Sequence, residues 1–143
     1  MTMYLDTSSL VQLYVEQTGS DDVRQDLAVA SAAATSLVTY AEARAAFARL
    51  RREGDITASA FRAVKRDFDD DWSGYLIVAP TIDLCRAAGQ LAEHYGLRGF
   101  DSIHLATFLH LVNNDRSEVR FSSFDHELNR AATRALRAVR RSG

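Results

Sequence analysis

Four carboxylates stand in this chain where a carboxylate can do chemistry. Asp6 ends the short apolar run Met3-Tyr4-Leu5, and Glu42 falls in the first turn of a helical stretch that follows Thr35-Ser36-Leu37-Val38. Asp125 lies just past Val119-Arg120-Phe121-Ser122, and Asp101 follows a turn bounded by Gly96 and Gly99. Each acid alone has a plain structural use as a helix cap or a complement to the helix dipole, worth ~0.3–2 kcal/mol. Thr39-Tyr40-Ala41-Glu42 and Ser122-Ser123-Phe124-Asp125 match the capping-box pattern, Asp101 suits an N-cap, and Asp6 a surface turn. Capping accounts for an acid at each helix start. It does not account for several of them meeting at one edge of a sheet.

Two carboxylates ~4 Å apart repel by roughly 1–4 kcal/mol at effective dielectrics of about 80 to 20, so a cluster must raise its pKa values or recruit cations. With oxygen ligands only, the cation is a hard one, Mg2+ or Mn2+. Such ions suit phosphodiester hydrolysis, where they lower the pKa of the attacking water and stabilise the leaving oxygen. Competing chemistries lack their parts. There is no GxSxG elbow, no Gly-rich phosphate loop and no HExxH. A haloacid-dehalogenase-like phosphatase needs an aspartate where Ser8 stands, and an EF-hand needs glycine where Trp72 follows Asp67-Phe68-Asp69-Asp70-Asp71. The single cysteine, Cys85, can form no internal disulfide and is read as a buried inert thiol.

The elements that must position these acids alternate. Strands are predicted at Met3–Asp6, Thr35–Val38, Tyr75–Ala79 and Val119–Ser122. Helical patterns follow Asp6 and cover Val23–Ala34, Thr39 to about Glu53, Thr57–Asp71, Ile82–Tyr95, Asp101 to about Val112, and Ser123–Arg141, whose end could form a short fifth strand. Short strands that are apolar on both sides and alternate with helices imply a three-layer α/β/α sandwich around a parallel sheet of four or five strands. Ligands bind such sheets at the C-terminal ends of the strands, where the acids fall.

The chain has 143 residues, 47% hydrophobic and 25% charged, the balance of a single globular domain over 1–143. Its apolar runs, such as Ala28–Ala34, are far shorter than the ~20 residues that span a bilayer, and its start lacks a basic n-region, so a cytoplasmic location without membrane attachment is expected. The net charge of −2 means that a polyanion must be met by a local patch. Sixteen of the seventeen basic residues are arginines, with Lys65 the only lysine. Arg130, Arg134, Arg137 and Arg141 form one stripe on the last helix, fit either for phosphate contacts or for a solvated face. Arg44, two residues past Glu42, is a candidate substrate contact or a counter-charge to the acids. His104, one turn past Asp101, could approach the acids or contact a polynucleotide, but is read first as a packing residue with its nitrogens satisfied by neighbours, and Leu10, Val11 and Tyr14 are read as core.

The segments Tyr4-Leu5-Asp6-Thr7-Ser8-Ser9-Leu10-Val11, Thr39-Tyr40-Ala41-Glu42-Ala43-Arg44, Gly99-Phe100-Asp101-Ser102-Ile103-His104-Leu105-Ala106 and Phe121-Ser122-Ser123-Phe124-Asp125, in this order and spacing, resemble the PIN-domain nucleases, and among them the VapC-type toxins of bacterial toxin–antitoxin pairs. The resemblance implies a PIN-like fold and an acidic quartet of Asp6, Glu42, Asp101 and Asp125 that holds divalent metal. It implies supporting roles for Ser123 and for Thr7 or Ser8. It further implies metal-dependent endonucleolytic cleavage of RNA, restraint by a cognate antitoxin protein, and a homodimer. The alternative from another class is a non-catalytic PIN-like binding module whose acidic pocket receives an arginine from a partner.

Overall fold

The computed structural model describes residues 1–115 and 117–143. Among them the chain runs β1 (Thr2–Leu5), α1 (Thr7–Val11), α2 (Ser20–Ala28), β2 (Ala32–Ser36), α3 (Thr39–Arg52), α4 (Ala58–Trp72), β3 (Leu76–Val78), α5 (Ile82–Tyr95), α6 (Gly99–Asn114), β4 (Val119–Ser122) and α7 (His126–Ser142). The four strands form one parallel sheet in the order β3-β2-β1-β4. β1 is central and fully covered, pairing Met3 with Ala33 on one side and with Arg120 on the other.

The two-residue period of a strand sends alternate side chains of β1 into two separate cores. Met3 and Leu5 pack with Leu10, Val11, Phe47 and Phe68 beneath α1, α3 and α4. Tyr4 packs with Leu105, Phe108, Leu128 and Ala132 beneath α6 and α7. α5 lies over α6 through Leu84, Ala88 and Ala106. The result is the predicted α/β/α layering, with helices on both faces.

Three boundaries differ from the sequence reading. The alanine-rich segment predicted to stay helical to Ala34 breaks at Ala28, and Ala32–Ser36 becomes β2. The small side chain of Ala34 is fully buried between β1 and the α6 side, so pairing overrides alanine's helix propensity. The predicted strand residues Leu37 and Val38 instead form the turn into α3. No fifth strand forms among the described residues, because α7 runs unbroken to Ser142 on a buried stripe of Leu128, Ala131, Ala132 and Ala135. Cys85 is exposed rather than buried, since α5 turns Leu84 and Ala88 inward and Cys85 outward.

Glycine matters at two places. Gly96 ends α5 in the left-handed region at φ +67°, which turns the chain toward α6. Gly19, at φ +95°, lies under the Phe124 ring, and a Cβ there would stand 2.4 Å from that ring. The turn from β4 to α7 is thereby seated against the start of α2. No helix among the described residues is long and apolar enough to cross a membrane.

Candidate active site

Parallel order places the C-terminal ends of β1, β2 and β4 along one edge, and a cavity of about 560 Å3 opens there, lined by Asp6, Glu42, Asp101 and Asp125. Thr7, Ser8, Arg98 and His104 share its wall.

Asp6 is the N-cap of α1 and is only 4% exposed. Its Oδ1 accepts from the Ser9 amide at 3.0 Å and the Ser8 hydroxyl at 2.7 Å, and its Oδ2 accepts from the Ser123 hydroxyl at 2.6 Å. Burial pushes this carboxyl above its ordinary range, against the opposite pull of Ser123, Ser8 and the Ser9 amide. The same two hydroxyls accept from the next turn: Ser8 from the Phe124 amide at 2.9 Å and Ser123 from the Asp125 amide at 3.0 Å. Asp6 is thus the centre of a knot that ties the β1 and β4 ends together.

Glu42 is free to face the cavity because α3 is not capped as its sequence suggests. Val38 is the N-cap and makes no side-chain cap bond, while Thr39 turns inward to Thr35 at 2.8 Å. Glu42 Oε1 accepts from the Thr7 hydroxyl at 2.6 Å and lies 2.9 Å from His104 Nε2. Burial pushes the Glu42 carboxyl up, but the bonds from His104 and Thr7 outweigh it and hold the group below its ordinary value.

The capping box at Ser122–Asp125 does not form either, since Asp125 is itself the N-cap of α7. Its Oδ1 accepts from the Glu127 and Leu128 amides at 2.9 and 3.0 Å. Asp101 lies in the first turn of α6, three residues after the N-cap residue Arg98. The Arg98 guanidinium bridges the two acids, with Nε 3.0 Å from Asp101 Oδ2 and Nη2 3.6 Å from Asp125 Oδ2. Its side chain is 81% exposed, so this bridge is a weak, screened one.

The four acids therefore share one cavity, but each leans on its own donors. Among the described residues no three His, Cys, Asp or Glu side chains gather closely enough to hold one ion as they stand. The donor set fits a hard divalent cation in kind, being carboxylate oxygens alone, and the positive charge now between Asp101 and Asp125 is an exposed, displaceable guanidinium.

Other candidates fall elsewhere. Arg44 is turned away from the cavity: it binds Asp69 at 3.2 Å and the Tyr40 hydroxyl at 2.9 Å. Two residues along a helix are about 200° apart, so Arg44 cannot share Glu42's face, and the sequence reading of it as a neighbour of the acids is corrected. That contact also gives Asp69 a structural partner on α3. Arg130, Arg134 and Arg137 line a separate shallow groove along α7, with Arg134 over the Tyr95 ring at 5.4 Å. Sequence reasoning passed over Arg98, whose only signal was its spacing of three from Asp101. It gave His104 a packing role. The residue is indeed buried with both nitrogens satisfied, but one partner is Glu42.

Sequence and structure comparisons identify the family and the fold. The PIN domain profile matches residues 3–134. Ribonuclease VapC45 and Ribonuclease VapC49, from two strains of Mycobacterium tuberculosis, are each 36% identical over 107 residues, covering 75% of this chain and 74% of theirs. The crystal structure of VapC20 from Mycobacterium tuberculosis, described as a sarcin-ricin loop cleaving toxin, superposes with a TM-score of 0.64 at 17% identity, over 90% of this chain and 94% of its own. FitAcB from Neisseria gonorrhoeae gives 0.64 at 16% identity, over 92% and 93%. The chain belongs to the PIN-domain family, in its group of VapC ribonucleases.

Proposed function

We propose that this protein is the toxin of a toxin–antitoxin pair, an endoribonuclease that hydrolyses RNA phosphodiesters with Mg2+ or Mn2+ held by carboxylates. The observation that carries the reading is the gathering of Asp6, Glu42, Asp101 and Asp125 around one cavity at the strand ends, in a chain 36% identical to two ribonucleases over three quarters of its length. Asp6, Glu42 and Asp101 would hold the principal ion, with Asp125 completing that site or a second one. The ion, when bound, supplies a lowered pKa for the attacking water and charge neutralisation at phosphate oxygens.

The chain's own residues do the remaining work. Ser8, Ser9 and Ser123 fix both oxygens of Asp6, so that carboxylate needs no reorganisation to receive positive charge. Thr7 fixes one oxygen of Glu42. Arg98, released from Asp101 and Asp125, is the group at the rim suited to a phosphate, which its guanidinium can take bidentately. Gln12, Gln17 and Arg49 line the outer cavity and offer further donors to a polynucleotide. Arg130 and Arg134, on the separate α7 groove, would extend the phosphate track.

The partners follow from the same reading: RNA as substrate, a cognate antitoxin protein that covers the acidic cavity, and a second copy of the chain. An apolar groove of about 740 Å3 between α5, α6 and α7, lined by Leu84, Leu91, Tyr95, Leu109 and Val139, is the surface suited to a dimer. The rival reading, a non-catalytic module that receives a partner's arginine, is favoured by one contact, the Arg98 bridge, which shows that these carboxylates accept a guanidinium.

Incubation of the purified protein with labelled RNA separates the two. Cleavage is expected with Mg2+ or Mn2+, none in EDTA, and none with Asp101→Asn. Full cleavage by that variant, or no metal-dependent cleavage of any RNA by the wild type, would end the nuclease assignment.

A further inference from the structure

A buried polar chain runs behind the cavity. The Tyr4 phenol and His104 Nδ1 are 2.7 Å apart, and His104 Nε2 is 2.9 Å from Glu42 Oε1. Tyr4 is fully buried and His104 is 2% exposed. The chain joins β1, α6 and α3: Tyr4 stands two residues before Asp6, His104 three after Asp101, and Glu42 is itself a proposed metal ligand.

For a neutral imidazole beside an ionised Glu42, donor arithmetic gives its direction. A carboxylate only accepts, so the short contact with Glu42 places a proton on His104 Nε2. Nδ1 is then the acceptor for the Tyr4 hydroxyl, which uses the one proton that Tyr4 has. The Thr7 hydroxyl donates to the same Oε1 at 2.6 Å. Two donors therefore converge on Oε1, whereas no hydrogen bond reaches Oε2 among the described residues. A glutamate has three side-chain torsions and, at the start of a helix facing a cavity, would otherwise sample several rotamers. Pinned from behind by a ring that cannot itself move, it presents one oxygen outward.

We infer that His104, held by Tyr4, is a positioning residue that orients Glu42 so that its free oxygen is ready for a divalent cation. The inference rests on the metal-dependent reading above, and it adds to the acidic quartet two residues that act through Glu42. Partners of this kind behind a metal ligand typically change metal affinity 10–100-fold when removed.

The test uses the metal-free full chain and Mn2+ alone, with binding followed by electron paramagnetic resonance and the fold by near-ultraviolet circular dichroism. His104→Leu keeps the bulk but removes the donor, and should bind Mn2+ at least tenfold more weakly. His104→Gln restores an N–H aimed at Glu42 and should return to within about threefold of wild type. If His104→Leu does not fold, Tyr4→Phe carries the test, because it removes only the hydroxyl that holds the ring; several-fold weaker binding is expected. Nitrogen NMR of the imidazole, which needs no metal, should find the proton on Nε2. Unaltered Mn2+ binding in folded His104→Leu, equal weakness in Leu and Gln variants, or a ring protonated on Nδ1 alone overturns the role of His104. No Mn2+ uptake by wild type, with Nε2 protonated, instead overturns the metal reading and this inference with it.

Discussion

Asp6 and Glu42 are carboxylates of the same cavity, yet their surroundings push them in opposite directions. For Asp6 burial dominates and its folded value is raised, so the folded state holds the proton more tightly than the unfolded one. Its cost to stability is absent at acid pH and grows as pH rises from the unfolded value through the folded value. Asp6→Asn removes that cost, so metal-free Asp6→Asn should melt no lower than wild type at pH 7, while losing at least 100-fold in RNA cleavage. For Glu42 the folded value is lowered, so it contributes stability at neutral pH that is lost as pH falls through its folded value. Glu42→Gln should therefore be less stable than wild type at pH 7 by about 1 kcal/mol, the difference between hydrogen bonds to a charged and to a neutral acceptor, and this gap should close in acid. Denaturant melts of the three proteins across pH 3 to 7 check both signs; a large neutral-pH loss in Asp6→Asn would contradict the raised value.

At the scale of elements, helix period decides which side chains reach the cavity. Glu42 faces inward and Arg44 is carried round to Asp69 on α4, where it braces α3 against its neighbour. Arg44→Ala should leave Mn2+ binding and RNA cleavage within about twofold of wild type and lower stability by no more than ~1 kcal/mol, the upper end for a partly exposed ion pair. A tenfold fall in cleavage would place Arg44 back at the substrate. The helix ends carry the same lesson. Both capping-box patterns are legible in the sequence, and both are overridden. Val38 takes the N-cap of α3 because Thr39 is drawn into the core beside Thr35, and Asp125 takes the cap of α7 because Ser122 stays in β4 with its hydroxyl on Ser9.

For the whole molecule, the reading predicts that a cation should bind the folded chain and not the unfolded one. At a concentration one hundred times its dissociation constant, such binding contributes about 2.7 kcal/mol. For a chain of this length that corresponds to a melting rise of roughly 5–10 °C with Mn2+, reversed by EDTA. Differential scanning calorimetry decides it, and an unchanged melting temperature would leave the acids without their counterion. What the sequence determined by itself was the alternation of strand and helix and the identity of the acids, because strand and helix periods and carboxylate chemistry are local properties. β2 was misplaced because alanine reads as helical until a neighbouring strand with room only for small side chains is present. The pairing of Arg98 with Asp125, the removal of Arg44, and the wiring of Tyr4 through His104 to Glu42 were decided by tertiary structure alone. Each depends on side chains up to a hundred positions apart meeting at bonding distance, and only the packing of α3 and α6 against β1 sets such distances.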